Sequence, residues 1–347
     1  MNQQPSTHDL LRAFLSQPVD ARFALDTGDA LYRDGHEAAA VAVWSFGDDA
    51  DPRMRRAKDA SSVPAEVRAA SARADAAFRE HFTRLHSDAI DALQKDTDDN
   101  LDRVRKSIWP MTHDSEFEWQ SPLQQPVIFY MPGLEAEPVT PNERLAWAPA
   151  LEAVWQDVRD EYVAAVEREV AMAPYVPAGT QDPRWSKLRG TLDWSSMHLF
   201  KEGRRTPLAA QFPKTLAAIE HTDLVRVDGV PMEAFFSRLV PGAHIPPHFG
   251  LTNTRLTTHL PLIVPDDSGI RVGRDTCHWE EGTIFAFDDS FEHEAWNRAD
   301  TDRVVLIFEV HHPDLSAAER AAIEHAYSAR HNWLMNRRNL LERHLQA

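Results

Sequence analysis

The chain has a single cysteine, Cys277, among its 347 residues. No intrachain disulfide can form, and such usage suits a reducing compartment. No stretch approaches the ~18 consecutive apolar residues of a membrane-spanning helix. The segment from Met1 to Gln17 lacks a basic region followed by an apolar core, so no secretory signal is expected. Positive charge is scarce too: 37 Lys and Arg stand against 54 Asp and Glu, a net charge of −17. That balance argues against nucleic acid and against an anionic membrane surface as partners. Together these absences lead to the expectation of a cytoplasmic protein; they say nothing of its oligomeric state.

What remains is enough to fold. Hydrophobic residues make up 43% of the chain, and the length exceeds that of one typical domain. The first third is helical in pattern. Leu10, Leu11, Phe14 and Leu15 mark one helix face, and residues 20–46 read as a helical hairpin. Within it Gly28, Leu31, Gly35, Ala40 and Trp44 fall at offsets like those of a tetratricopeptide repeat. A single such unit cannot bury its own face, and no second clear copy follows. Residues 63–105 have helical spacing at Val67, Ala74, Phe78, Phe82, Leu85, Ile90 and Leu93, giving one long amphipathic helix or two.

The character changes after residue 108. Val127-Ile128-Phe129-Tyr130 is a short β-like run, and Trp147 to Val170 is helical again. From Trp185 to Pro313, short β-prone segments alternate with Pro, Gly, Asp and Asn: 193–200, 234–240, 255–264, 268–273, 283–287, 293–297 and 303–310. Many short strands with turn signals mean a sandwich or barrel. Ser316 and Glu319 form a capping box that opens a C-terminal helix. The expected organisation is a helical, tetratricopeptide-like region over 1–110, and a β-rich domain with flanking helices over 111–347.

The chemistry concentrates in the β-rich block. In the run from Arg255 to Leu262, strand alternation puts Arg255, Thr257 and His259 on one face and Leu256, Thr258, Leu260 and Leu262 on the other. A polar face opposite a leucine face suits a barrel that encloses a small ligand. If residues 293–310 form a hairpin centred near 300, His293 lies opposite Ile307 and shares a face with Arg303. Arg303 would then offer a fork for a carboxylate beside a potential metal ligand. Neutral imidazoles suit divalent iron, usually with a carboxylate completing a facial triad. His248 is followed at the third position by Gly250 instead of an acid. On these grounds alone a lone histidine is more often a hydrogen-bonded core residue than a ligand. Asp288, Asp289 and Glu292 read as solvated turn acids, His244 as structural, and Trp279 and Trp296 as core. His311 and His312, adjacent in a strand, point to opposite faces and cannot share an ion.

Ordered motifs carry more. They are Asp193-Trp194-Ser195 with Gly203-Arg204-Arg205; Pro241-Gly242-x-His244-x-x-Pro247-His248-x-Gly250; Thr252-Asn253-x-Arg255-Leu256-x-x-His259-Leu260; Trp279-Glu280-Glu281-Gly282; Phe287 through His293 to Trp296; and Arg303 to His312-Pro313. Across residues 185–315 this pattern resembles the catalytic domain of the aspartyl/asparaginyl β-hydroxylase family. The resemblance implies an α+β protein. Its catalytic domain would be a double-stranded β-helix of jelly-roll or cupin-like form, beside an N-terminal helical region and a C-terminal helix. It also implies an oxygenase that uses Fe(II), 2-oxoglutarate and O2. His248 and His293 would be the metal ligands, and the family lacks the carboxylate ligand that Gly250 replaces. Ser237 and Arg303 would hold the distal carboxylate of 2-oxoglutarate, with His259 near its metal-binding end. Arg255 would meet the substrate. Where animal members carry a second arginine, this chain has Thr257.

The function so implied is hydroxylation of the β-carbon of an Asp or Asn residue in a peptide or protein. Two alternatives stand beside it. One is a hydroxylase or halogenase that tailors a natural product or lipid-linked substrate, with chloride bound beside Gly250. The other is an inactive adaptor that only binds peptides. Iron titration followed by succinate release separates the enzymes from the adaptor, and chlorinated product separates the halogenase.

Overall fold

A computed structural model describes residues 5–113 and 117–346. Residues 1–4, part of the expected leader-free N-terminus, lie outside the described residues, as do residues 114–116 at the start of the β-rich region. The chain divides into two compact units, one comprising residues 1–116 with 321–347 and the other residues 117–320. The division differs from the simple cut at residue 110, because the C-terminal helix, Ala317–His344, contributes most of its length to the first unit.

The first unit is helical: Thr7–Leu15, Ala21–Arg33, Glu37–Ala50 and Ala65–Gln94 precede the C-terminal helix. The expected hairpin is present. Gly28 is what allows its close approach, since a Cβ there would lie 2.2 Å from Trp44 Nε1. Trp44 is fully buried and donates to the Leu25 carbonyl. Leu11, Phe14, Phe78, Phe82 and Leu341 complete one apolar core.

In the second unit the strands of three or more residues are β1 (Trp194–Lys201), β2 (Ala234–Leu239), β3 (His244–His248), β4 (Arg255–Ile263), β5 (Ser268–Val272), β6 (Asp275–Cys277), β7 (Phe285–Phe287), β8 (His293–Asn297) and β9 (Arg303–His311). They form two antiparallel sheets. The larger runs β7-β4-β9-β2-β1 and the smaller β6-β5-β8-β3. From β2 onward, successive strands alternate between the sheets, except that β5 and β6 both lie in the smaller one. This is the winding of a double-stranded β-helix, the fold class expected. Helix Trp155–Glu167 covers the outer face of the larger sheet: Val158, Tyr162 and Ala165 share a core with Phe236, Leu256, Leu260, Leu262 and Phe308. Those are the even-numbered residues of β2, β4 and β9, so the odd-numbered ones face inward.

Three local expectations change. Phe129 makes only an isolated bridge, to Thr252, and Val127 and Ile128 are exposed, so 127–130 is an edge segment with no full strand. The Trp147–Val170 helix is two, Ala148–Glu152 and Trp155–Glu167. Strand β3 escapes propensity reasoning because Pro246 and Pro247 sit in it. It lies at the edge of the smaller sheet, where a missing N–H costs no ladder bond.

Candidate active site

The hairpin between 293 and 310 does not form. β8 pairs with β5 and β3 in the smaller sheet, where His293 lies opposite His248 and Val272. β9 pairs with β2 and β4 in the larger sheet, where Arg303 lies opposite Leu239. The turn after Asn297 crosses from one sheet to the other. His293 and Arg303 still face one space, but from opposite walls. That space is a cavity of about 550 Å³, whose lining includes Ser237, His248, Arg255, His259, His293 and Arg303. Every residue proposed from the sequence as a site residue is therefore on one cavity wall or the other.

The two histidine rings lie with centroids 4.1 Å apart. Each has one nitrogen committed. His248 Nδ1 is 2.8 Å from the Pro246 carbonyl and His293 Nδ1 is 2.9 Å from the Phe291 carbonyl. A carbonyl only accepts, so each Nδ1 carries the proton and each Nε2 keeps its lone pair. This arrangement orients an imidazole for a metal. Burial holds both rings neutral, pushing His248 down to about 3 and His293 to about 4. Among the described residues no three His, Cys, Asp or Glu side chains group so as to hold an ion. The donor set is two imidazoles, which leaves most of an octahedral shell to other ligands.

Gly250 is occupied from elsewhere. A Cβ at that position would lie 2.1 Å from Asp289 Cγ, so the Asp289 carboxylate fills the space where a side chain at 250 would begin. Asp289 Oδ2 accepts from Thr257 Oγ1 at 3.1 Å, and Oδ1 is buried without a partner. Burial raises its pKa. The reading of Asp288 and Asp289 as solvated turn acids fails. Asp288 is 1% exposed and accepts from Gln124 Nε2, Ser290 N–H and Ser290 Oγ. No local pattern marks this contact, which joins Gly250 to Asp289, 39 residues on.

The deep end holds an unusual cation. Arg303 is 1% exposed, its Nε and Nη1 have no hydrogen-bond partner among the described residues, and burial pulls its pKa to about 9. Its guanidinium stacks 4.9 Å over the Trp279 ring. Trp279 also donates to His259 Nδ1 at 3.1 Å, which leaves the His259 proton on Nε2. Trp279, expected to be plain core, thus orients two site residues at once. Ser237 is fully buried and accepts from Trp194 Nε1 at 3.1 Å, so its own hydroxyl proton is available to a ligand. A buried guanidinium and a hydroxyl on adjacent strands suit a carboxylate. Arg255 differs: its Nη1 pairs with Glu309 Oε2 at 2.9 Å. His244, half exposed, pairs with Glu294 at 2.8 Å.

A double-stranded β-helix whose cavity joins two metal-ready imidazoles to a carboxylate-ready arginine defines the class. Residues 152–313 match the profile of the Aspartyl/Asparaginyl beta-hydroxylase family. It is 35% identical over 204 residues to human aspartyl/asparaginyl beta-hydroxylase, covering 56% of this chain and 25% of that protein. It is 33% identical over 185 residues to the ornithine lipid ester-linked acyl 2-hydroxylase of Rhizobium tropici, covering 52% and 63%. It is 28% identical over 213 residues to human aspartate beta-hydroxylase domain-containing protein 2, covering 59% and 56%. The chain thus spans a quarter to under two thirds of these relatives' lengths. Among the described residues, no helix is long and apolar enough to cross a membrane.

Proposed function

We propose that the second unit is an iron(II)- and 2-oxoglutarate-dependent oxygenase that hydroxylates the β-carbon of an Asp or Asn residue in a peptide or protein. The observation that carries this reading is the pairing of two features in one cavity. One is two imidazoles with free Nε2 lone pairs. The other is a buried guanidinium whose Nε and Nη1 have no hydrogen-bond partner among the described residues. An isolated buried cation costs several kcal/mol, and a dicarboxylate cosubstrate is the kind of ligand that offsets that cost.

His248 and His293 would hold the metal through Nε2. Arg303 and Ser237 would receive the distal carboxylate, and His259, through its Nε2 proton, would donate to the other end of the cosubstrate. Iron so bound supplies the power to activate O2 for insertion of one oxygen atom into a C–H bond, the second oxygen going to 2-oxoglutarate as it becomes succinate and CO2. The protein's own work is positioning and exclusion of water. Trp185, Trp194, Phe235 and Phe287 give the cavity aromatic walls. The Asp289 carboxylate beside Gly250 also bears on the halogenase alternative. A negative group in that space repels chloride, which favours hydroxylation.

The name of the Rhizobium relative keeps a lipid acyl chain as the second candidate substrate. Incubation of the protein with iron(II), 2-oxoglutarate and air, with a peptide pool or a dispersed ester-linked lipid, tests both. Succinate release with a gain of one oxygen on peptide supports the reading. Oxygen gain on the lipid alone favours the second, and iron binding without succinate favours the adaptor.

A further inference from the structure

The inner face of the larger sheet changes charge along its length. At the deep end Arg303 has no carboxylate partner among the described residues. At the mouth Arg255 is held by Glu309, with both side chains largely buried, at 13% and 11% exposure. The register explains the contact: Glu309 lies opposite Thr257, and Arg255 opposite His311, so the two are diagonal neighbours on one face. Asp289 and Glu233 line the same end. Asp289 has its unpartnered Oδ1 there. Glu233 lies 3.7 Å from His198 and accepts from the Glu202 N–H at 2.9 Å. Lys201 and Glu202 at the rim are exposed and opposite in sign. Three carboxylates therefore line this end, and the buried guanidinium there is already paired with Glu309. A fourth negative charge beside them is disfavoured.

We infer that Glu309 sets the charge of the substrate: by holding Arg255, it fits the mouth to a side-chain carboxamide and against a carboxylate. This rests on the oxygenase reading above and narrows it. A carboxamide both accepts and donates. Its oxygen can accept from the guanidinium, and its NH2 can donate to Asp289 Oδ1, an acceptor otherwise buried and unused. A carboxylate only accepts, and would stand against Asp289 and Glu309 with an arginine already neutralised. Thr257, bonded to Asp289, adds no cation.

The test uses the full chain with iron(II), 2-oxoglutarate and two degenerate pentapeptide pools that differ only in a central Asn or Asp. Retention of each pool is read by equilibrium dialysis without oxygen, and oxygen gain by mass spectrometry with it. The Asn pool is expected to be retained and hydroxylated about tenfold better. Glu309→Gln should narrow or invert that ratio. Equal or better use of the Asp pool by the unaltered protein overturns the inference, whatever the variant does. Preference for a dispersed ester-linked lipid over both pools overturns it too. Succinate release separates the two levels: succinate with the wrong pool preference defeats only the charge assignment, whereas no succinate under any condition defeats the oxygenase reading and this inference with it.

Discussion

Arg303 and Arg255 project from neighbouring strands into one cavity, yet they are in opposite states. Arg303 is buried with two unpartnered nitrogens, while Arg255 is tied to Glu309. The difference teaches how to read a buried charge. A paired arginine is explained by the protein around it. An unpaired one is costly in the ligand-free fold and points to an anion that arrives from outside. The same contrast separates the histidines. His248 and His293 each keep a free ring nitrogen beyond their carbonyl contact, whereas His244 is engaged by Glu294.

The contrast can be broken most sharply at the metal end. His248→Ala or His293→Ala removes half of the protein donor set. Iron(II) affinity and succinate formation should fall more than about 100-fold, beyond the effect of losing an outer partner. Arg303→Met should weaken 2-oxoglutarate binding by about 2–5 kcal/mol, the cost of truncating one member of a buried charge pair, as read by anaerobic calorimetry. Smaller but more diagnostic are the thermal shifts of ligand-free protein. Arg255→Met strands Glu309 and should lower stability by about 1–3 kcal/mol. Arg303→Met removes a buried unpaired cation and should leave stability equal or higher. Melting temperatures that fall equally in both variants would erase the distinction between the two arginines.

How far this was legible in the sequence follows from the range of each interaction. Strand alternation within β4 placed Arg255, Thr257 and His259 on the inward face from local pattern alone. The helices of the first unit followed from spacing. The relation of His293 to Arg303 did not, because two strands close in sequence read as a hairpin, and only the winding of the fold sends them to opposite sheets. β3 was hidden by its prolines. Asp289 and Trp279 looked ordinary, since their roles come from contacts with Gly250, His259 and Arg303, which no local period encodes. The motif resemblance singled out His248 and His293 as candidate ligands; the geometry shows what fills the space beside Gly250.

The smallest expected effect lies in the helical unit and serves as a control for the cavity. Burial pushes His81 and His113 down to about 4 from an ordinary 6.5. A histidine kept neutral in the fold stabilises fully above the unfolded pKa. That contribution is lost as pH falls from about 6.5 toward 4. Chemical denaturation of this unit, followed by far-ultraviolet circular dichroism, should show stability declining across that window. His81→Gln and His113→Gln should flatten the decline without changing 2-oxoglutarate affinity.

The most direct measurement is an anaerobic calorimetric titration of the full chain, first with iron(II) and then with 2-oxoglutarate, beside Arg303→Met. The account predicts one iron per chain, one 2-oxoglutarate per iron-loaded chain, and loss of the second event alone in the variant. A variant that binds 2-oxoglutarate as tightly as the unaltered protein, or an iron-loaded chain that does not bind it, would contradict the assignment.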